Sequence, residues 1–112
     1  MNELDIINII KNTLSNNSLI GDDTACLEDL GITITQDSLI EDVHFRTSTI
    51  SPYQLGKKSI AVNLSDIASS GARAKYLMIS LSLPQNTQES FVKEFYQGVD
   101  SICKEFSVSV GG

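Results

Sequence analysis

Residues 51–84 read SPYQLGKKSIAVNLSDIASSGARAKYLMISLSLP, and this stretch decides the fold. Ser51-Pro52 is a helix-start signal: an oxygen-bearing cap, then proline at the first helical position, where a missing N–H costs nothing. Tyr53, Leu55, Ile60, Ala61, Leu64, Ile67 and Ala68 support a long helix that ends near Gly71, a residue suited to the left-handed position after a helix. Tyr76–Leu83 then forms an apolar run with Ser80 and Ser82 alternating, closed by Pro84, which reads as a strand.

Toward the N-terminus, Leu4, Ile7, Ile10 and Leu14 recur at helical spacing, with Ile6 and Ile9 widening the stripe, so an amphipathic helix is expected over Glu3–Leu14. Asn16-Asn17-Ser18 breaks it. Ala25-Cys26-Leu27 and Ile32–Thr35 read as short strands, with Glu28–Gly31 between them as a hairpin loop. Leu39-Ile40 and Val43–Phe45 continue or extend the sheet. Toward the C-terminus, Thr87 caps a helix carrying Phe91, Phe95, Val99 and Ile102, and a last strand, Val108–Val110, runs into Gly111-Gly112. The order predicts an α+β fold: a two-layer domain with a four-stranded mixed sheet and helices on one face. An ending on a strand plus Gly-Gly, usually a turn leading onward, predicts that the chain is cut from a longer one.

The 112 residues suit one domain, and 41% hydrophobic with 20% charged residues is ordinary for a globular chain, which excludes disorder and collagen-like repeats. With no Trp and 6% aromatic residues the core must be aliphatic. A net charge of −6 repels nucleic acid and anionic membranes, so neither is expected as a partner. An anionic ligand would need added positive charge, and a divalent cation is the simplest source. Cys26 and Cys103 stand far apart without a C-x-x-C or Cys/His cluster, so neither a zinc site nor a disulfide framework is expected, only two buried or half-buried thiols. No apolar run approaches the ~20 residues that span a bilayer. Met1–Asp5 is acidic and lacks the basic start of a signal peptide, so a cytoplasmic protein is expected.

The acids cluster. Asp22 and Asp23 follow Gly21, Asp37 follows a strand, and Glu41 and Asp42 lie just beyond. Gly21-Asp22-Asp23 also reads as a turn, and Asp37 as the cap of a bend. Asp66 is harder to read as structural. It sits inside a helix, where a short carboxylate is disfavoured, on a stretch too apolar for a solvated face, with Asn63 three residues earlier on the same side. A buried carboxylate calls for a partner, and a metal ion would serve. Ser59, Ala61, Ser65, Ala68 and Ser69 around it permit close backbone approach, to another element or to a ligand. His44, the lone histidine, lies between Val43 and Phe45, where a packed side chain is the ordinary reading. Lys57 and Lys58 read as solvated helix charge. Leu55–Ser59 is not a P-loop, because Ser51 stands where its first Gly is needed and Lys58 where its Ser or Thr is needed. No G-x-G-x-x-G, EF-hand or nucleophile elbow occurs.

Taken in order, GDDTA (21–25), ITQDSLIEDVHF (34–45), GKKSIAVNLSDIA (56–68) and VGG (110–112) resemble the thiamine-monophosphate kinase family, within the ATP-binding superfamily related to aminoimidazole-ribonucleotide synthetase. The resemblance implies transfer of the γ-phosphoryl group of ATP to thiamine monophosphate, giving thiamine diphosphate and ADP, with several Mg²⁺ ions in place of a P-loop lysine. It implies metal-ligand positions at Asp23, Thr35, Gln36, Asp37 and Asp66, where Gln36 departs from the usual Thr or Ser. It implies a substrate contact at His44 and a nucleotide contact at Gly111-Gly112, part of a Gly-Gly-Asp motif, and no covalent catalytic residue. The family architecture implies that residues 1–112 are the N-terminal ATP/Mg-binding domain of a two-domain kinase. It further implies a homodimer whose sheets join as a barrel, and a piece inactive alone. Acidic composition fits this chemistry, since carboxylates holding Mg²⁺ neutralise two anionic phosphate reactants. Two other readings stand beside it: a selenophosphate or aminoimidazole-ribonucleotide synthetase using the same ATP site, and a non-catalytic dimerisation or cation-binding module.

Overall fold

The computed structural model describes residues 1–22 and 24–112, in two compact units, Met1–Thr35 and Gln36–Gly112. In the first, α1 (Glu3–Thr13) starts on a reciprocal cap. The Asp5 N–H donates to Asn2 Oδ1 at 2.9 Å and the Asn2 N–H to Asp5 Oδ2 at 3.1 Å, satisfying two N–H groups that a helix start leaves open. β1 (Ala25–Leu27) and β2 (Ile32–Ile34) pair antiparallel with Ala25 opposite Ile34 and Leu27 opposite Ile32. The loop between them closes with Leu30 and Gly31 donating to the Leu27 and Glu28 carbonyls, Gly31 taking a positive φ of 65° that a side chain would resist. The expected hairpin is therefore present, one residue shorter at Thr35.

In the second unit α2 (Pro52–Ser69) begins as its sequence predicts: Ser51 Oγ accepts from the Gln54 N–H at 3.1 Å, and Gly71 follows the helix at φ 80°. β3 (Tyr76–Leu77), α3 (Glu89–Phe106) and β4 (Ser109–Val110) form a strand–helix–strand unit whose strands run parallel, Tyr76 opposite Ser109. Two further bonds prolong the ladder, from the Gly111 N–H to the Leu77 carbonyl and from the Ile79 N–H to the Gly112 carbonyl, both 2.8 Å. The apolar stripe of α3 fills the core: Phe95, Val99, Ile102 and Cys103 are buried with Leu55 and Ile60 of α2 and Val108, and Val99 is 1% exposed. α2 and α3 meet at two glycines. A Cβ on Gly56 would stand closer than 3.0 Å to the Phe95 carbonyl oxygen, and one on Gly98 equally close to that of Tyr53.

Four expectations are corrected. Among the described residues the strands form two separate two-stranded ladders, not one four-stranded sheet. Tyr76–Leu83 is a strand only at β3, because Ser80–Leu83 find no ladder partner among the described residues, and Leu81 and Leu83 stay exposed. Residues 39–45 make a tight turn with a single bridge, Glu41 to Phe45, instead of a strand. Thr87 does not cap α3 either: its hydroxyl donates to the Pro84 carbonyl at 2.7 Å, and Gln88 takes the cap position without a side-chain bond.

The two thiols differ in kind: Cys26 is exposed and Cys103 buried. Burial, then the charge of Asp100, pushes the Cys103 thiol above its ordinary value of 9.0. A raised value means that the folded state keeps the proton longer. Its stabilisation is therefore whole below pH 9.0 and is lost as pH climbs through the folded value. Melting temperature is expected to fall above about pH 9 by an increment that Cys103→Ala abolishes. A thiol reagent is expected to label one cysteine in the native protein and both in denaturant. Two fast-reacting native thiols would contradict this packing.

Candidate functional site

The segment after Thr35 carries three of the predicted site residues, Gln36, Asp37 and His44, and its shape follows from local hydrogen bonding. Ser38 N–H donates to Asp37 Oδ1 at 2.9 Å, a bond between neighbours in the irregular run that follows the hairpin. Around Asp42, a non-glycine residue at φ 65°, the backbone doubles back. The His44 N–H donates to the Ile40 carbonyl at 2.8 Å, the Asp42 N–H to the Phe45 carbonyl at 2.7 Å, and Thr47 Oγ1 to Glu41 Oε1 at 3.1 Å. The Ile40 N–H donates to His44 Nδ1 at 2.9 Å. Phe45 packs against the core while His44 stays exposed.

This segment borders a cleft of about 1130 Å³ within the second unit, closed on its other sides by α2, α3 and the chain that follows β3. Gln36, Asp37 and Glu41 line it from the loop, Ser59 and Asn63 from α2, and Glu94 from α3. Asn63 Nδ2 donates to the Ser59 carbonyl at 3.0 Å, but its Oδ1 is buried and, among the described residues, accepts nothing. An unmatched buried acceptor is costly, so the site retains an oxygen with capacity for a donor or a cation.

The structure thus brings Gln36 and Asp37 to one cleft. Asp66, half-buried on α2 one turn beyond Asn63, lies outside its lining, as does His44. Gly111 and Gly112 are bonded into the ladder beside β3. Thr35 belongs to the first unit, and Asp23 lies outside the described residues. Among the described residues no three His, Cys, Asp or Glu gather closely enough to hold a metal ion alone. The donors at the cleft are all oxygens of carboxylate, amide and hydroxyl groups, a set that fits Mg²⁺. Such an ion commonly uses one or two carboxylates and completes its octahedron with water and phosphate oxygens.

Lys57 and Lys58 are not equivalent solvated charges. Lys57 Nζ lies over the Tyr53 ring, 5.8 Å from its centre, whereas Lys58 Nζ donates to the His44 carbonyl at 2.8 Å. Their separation of one position turns the two side chains about 100° apart on a helix, the only sequence signal of different tasks. Among the described residues no helix is long and apolar enough to cross a membrane.

Residues 21–112 match the family model for AIR synthase related protein, N-terminal domain. The chain is 40% identical over 114 residues to thiamine-monophosphate kinase of Aquifex aeolicus, and 34% identical over 119 residues to that of Bacillus subtilis. Both alignments take in 100% of this chain and 37% of the relative, so the chain spans little more than a third of their length. The solved structure of AaThiL complexed with AMPPCP and TMP superposes with a TM-score of 0.92 at 40% identity, over 98% of this chain and 36% of that one. With the domain match covering most of its residues and both relatives aligned along all of it, the chain belongs to the AIR synthase related protein family and carries that family's N-terminal domain.

Proposed function

We propose that the chain is the N-terminal, nucleotide- and metal-binding part of a thiamine-monophosphate kinase. In this reading the whole protein transfers the γ-phosphoryl group of ATP to thiamine monophosphate, giving thiamine diphosphate and ADP. The observation that carries the reading is the likeness, at 40% identity and a TM-score of 0.92, to a protein solved with AMPPCP, an analogue of ATP, and TMP. Asp37 and Gln36 would hold Mg²⁺ together with Asp23, Thr35 and Asp66, and the bound cation would neutralise phosphate charge and align the reacting groups. His44 hydrogen-bonds the acceptor phosphate. Gly111 and Gly112 bring bare backbone to the nucleotide, which side chains would keep at a distance. Exposed Leu81 and Leu83 support a homodimer in which the strands of two copies join into a barrel. The reaction belongs to the cytoplasm, and residues 1–112 alone do not perform it.

The full-length protein is expected to convert ATP and thiamine monophosphate into equimolar ADP and thiamine diphosphate, read by chromatography, and to stop when EDTA removes Mg²⁺. AMPPCP is expected to raise the melting temperature only with Mg²⁺ present, because a ligand that binds the folded state alone stabilises it. ATP turnover indifferent to thiamine monophosphate would instead favour a synthetase of the same superfamily.

A further inference from the structure

His44 is restrained at three atoms, and one restraint comes from a side chain to which nothing above gives a task. We propose that Lys58 is a positioning residue for His44: from α2 its ammonium clamps the 40–45 turn so that the imidazole offers Nε2–H outward to an anionic oxygen. The proposal rests on the reading of His44 as a contact to the acceptor phosphate.

The tautomer follows from the hydrogen bonds. A backbone N–H can only donate, so the Nδ1 that meets the Ile40 N–H at 2.9 Å must present its lone pair. The neutral ring then carries its proton on Nε2. His44 is exposed, so this N–H is open to a ligand, and a phosphate oxygen is an acceptor of the matching kind. The bonds between His44 and Ile40 are internal to the turn, however. They are exposed, and they keep the ring aligned only while the turn is held closed as one body from outside.

Two contacts tie that body to the second unit's core. Phe45 packs against it, and Lys58 Nζ holds the His44 carbonyl at 2.8 Å across 14 residues of chain. Lys58 is set by a helix segment anchored through buried Leu55, Gly56 and Ile60, so its backbone is as fixed as the core. The ammonium also adds positive charge beside the ring in a chain of net charge −6, which favours an anion there. An exposed bond of this kind is modest in energy, so the expected effect is on ligand geometry and not on folding.

The test pairs a spectroscopic readout with a kinetic one. In the protein labelled with ¹⁵N-histidine, His44 signals are assigned by their loss in His44→Gln. The unaltered protein is expected to display the Nε2–H tautomer, with Nδ1 unprotonated. Lys58→Met keeps the aliphatic stem but no donor, and is expected to draw the two ring-nitrogen shifts together through averaging. Lys58→Arg, which restores donor and charge, is expected to return the starting pattern and thereby exclude misfolding as the cause. In full-length enzyme Lys58→Met is expected to raise KM for thiamine monophosphate about fivefold, with kcat and the KM for ATP nearly unchanged. An unaltered ring spectrum in Lys58→Met overturns the clamp. An averaged spectrum with an unaltered acceptor KM upholds the clamp and overturns the assignment of His44 to the acceptor.

Discussion

Gly98→Ala is expected to lower the melting temperature by about 12–24 °C, the equivalent of about 3 kcal/mol in a domain of this size. Alanine would ordinarily strengthen a helix, by about 1 kcal/mol over glycine. Here the added methyl would run into the Tyr53 carbonyl oxygen of α2, with the Lys57 amide nitrogen only 3.1 Å away. Both belong to helix backbone and cannot rotate aside as a flexible side chain would. Relief requires the helices to separate, which loosens Phe95, Val99 and Leu55 together. Gly56→Ala is expected to act comparably through the Phe95 carbonyl, and the double variant to lose less than the sum, since both open one contact. Thermal unfolding followed by circular dichroism measures all three. A Gly98→Ala protein melting within 3 °C of the parent would refute the close helix contact.

Asp37→Asn carries the second large effect, on turnover. The carboxylate is exposed, and its bond from the Ser38 N–H can be kept by an amide oxygen, so the fold is expected to be indifferent. The charge is not replaced. If Asp37 holds a cation that offsets phosphate charge, losing it removes stabilisation in the transition state, where one misplaced or missing group typically costs about 10²–10³ in kcat. The full-length variant is expected to fall in that range and to need more Mg²⁺ for half-maximal rate. Activity within threefold of the parent would remove Asp37 from the metal site. The direction of the Mg²⁺ effect separates this from a folding defect, which added metal would not selectively repair.

What could be read from the sequence, and what could not, divides along the range of the forces involved. Ser51-Pro52 and Gly71 delimit α2 because capping and left-handed backbone are local chemistry, complete within four residues. The Ala25–Ile34 hairpin is local in the same sense. Tyr76–Leu83 reads as a longer strand than it is, because a strand exists only where another lies beside it, and alternation of Ser80 and Ser82 says nothing about a neighbour. Leu39–Phe45 misled for a related reason: β-branched and aromatic residues favour strand, but the bonds from His44 to Ile40 closed a turn first. At the cleft, Asp37 is legible as an acid that follows a strand, and Gln36 only through the family resemblance. The task of Lys58 was not, since its partner is 14 residues away and a lysine on a helix is ordinarily solvated. Gly56 and Gly98 carried no local signal, because the carbonyls they admit belong to the other helix.

The parallel pairing of β3 with β4 bears on the order in which the chain assembles. Tyr76 must find Ser109, 33 residues later, and the intervening segment must first wind into α3 and settle on α2. Closing so long a loop is entropically unfavourable until that docking has occurred. The helix pair is therefore expected to form first and the ladder to zip last. Slow association would leave those two edges unpaired for the longest time, and Leu81 and Leu83 next to them are bare even in the folded chain, so the kinetic hazard of this chain is sticking to its neighbours late in folding rather than failing to collapse early.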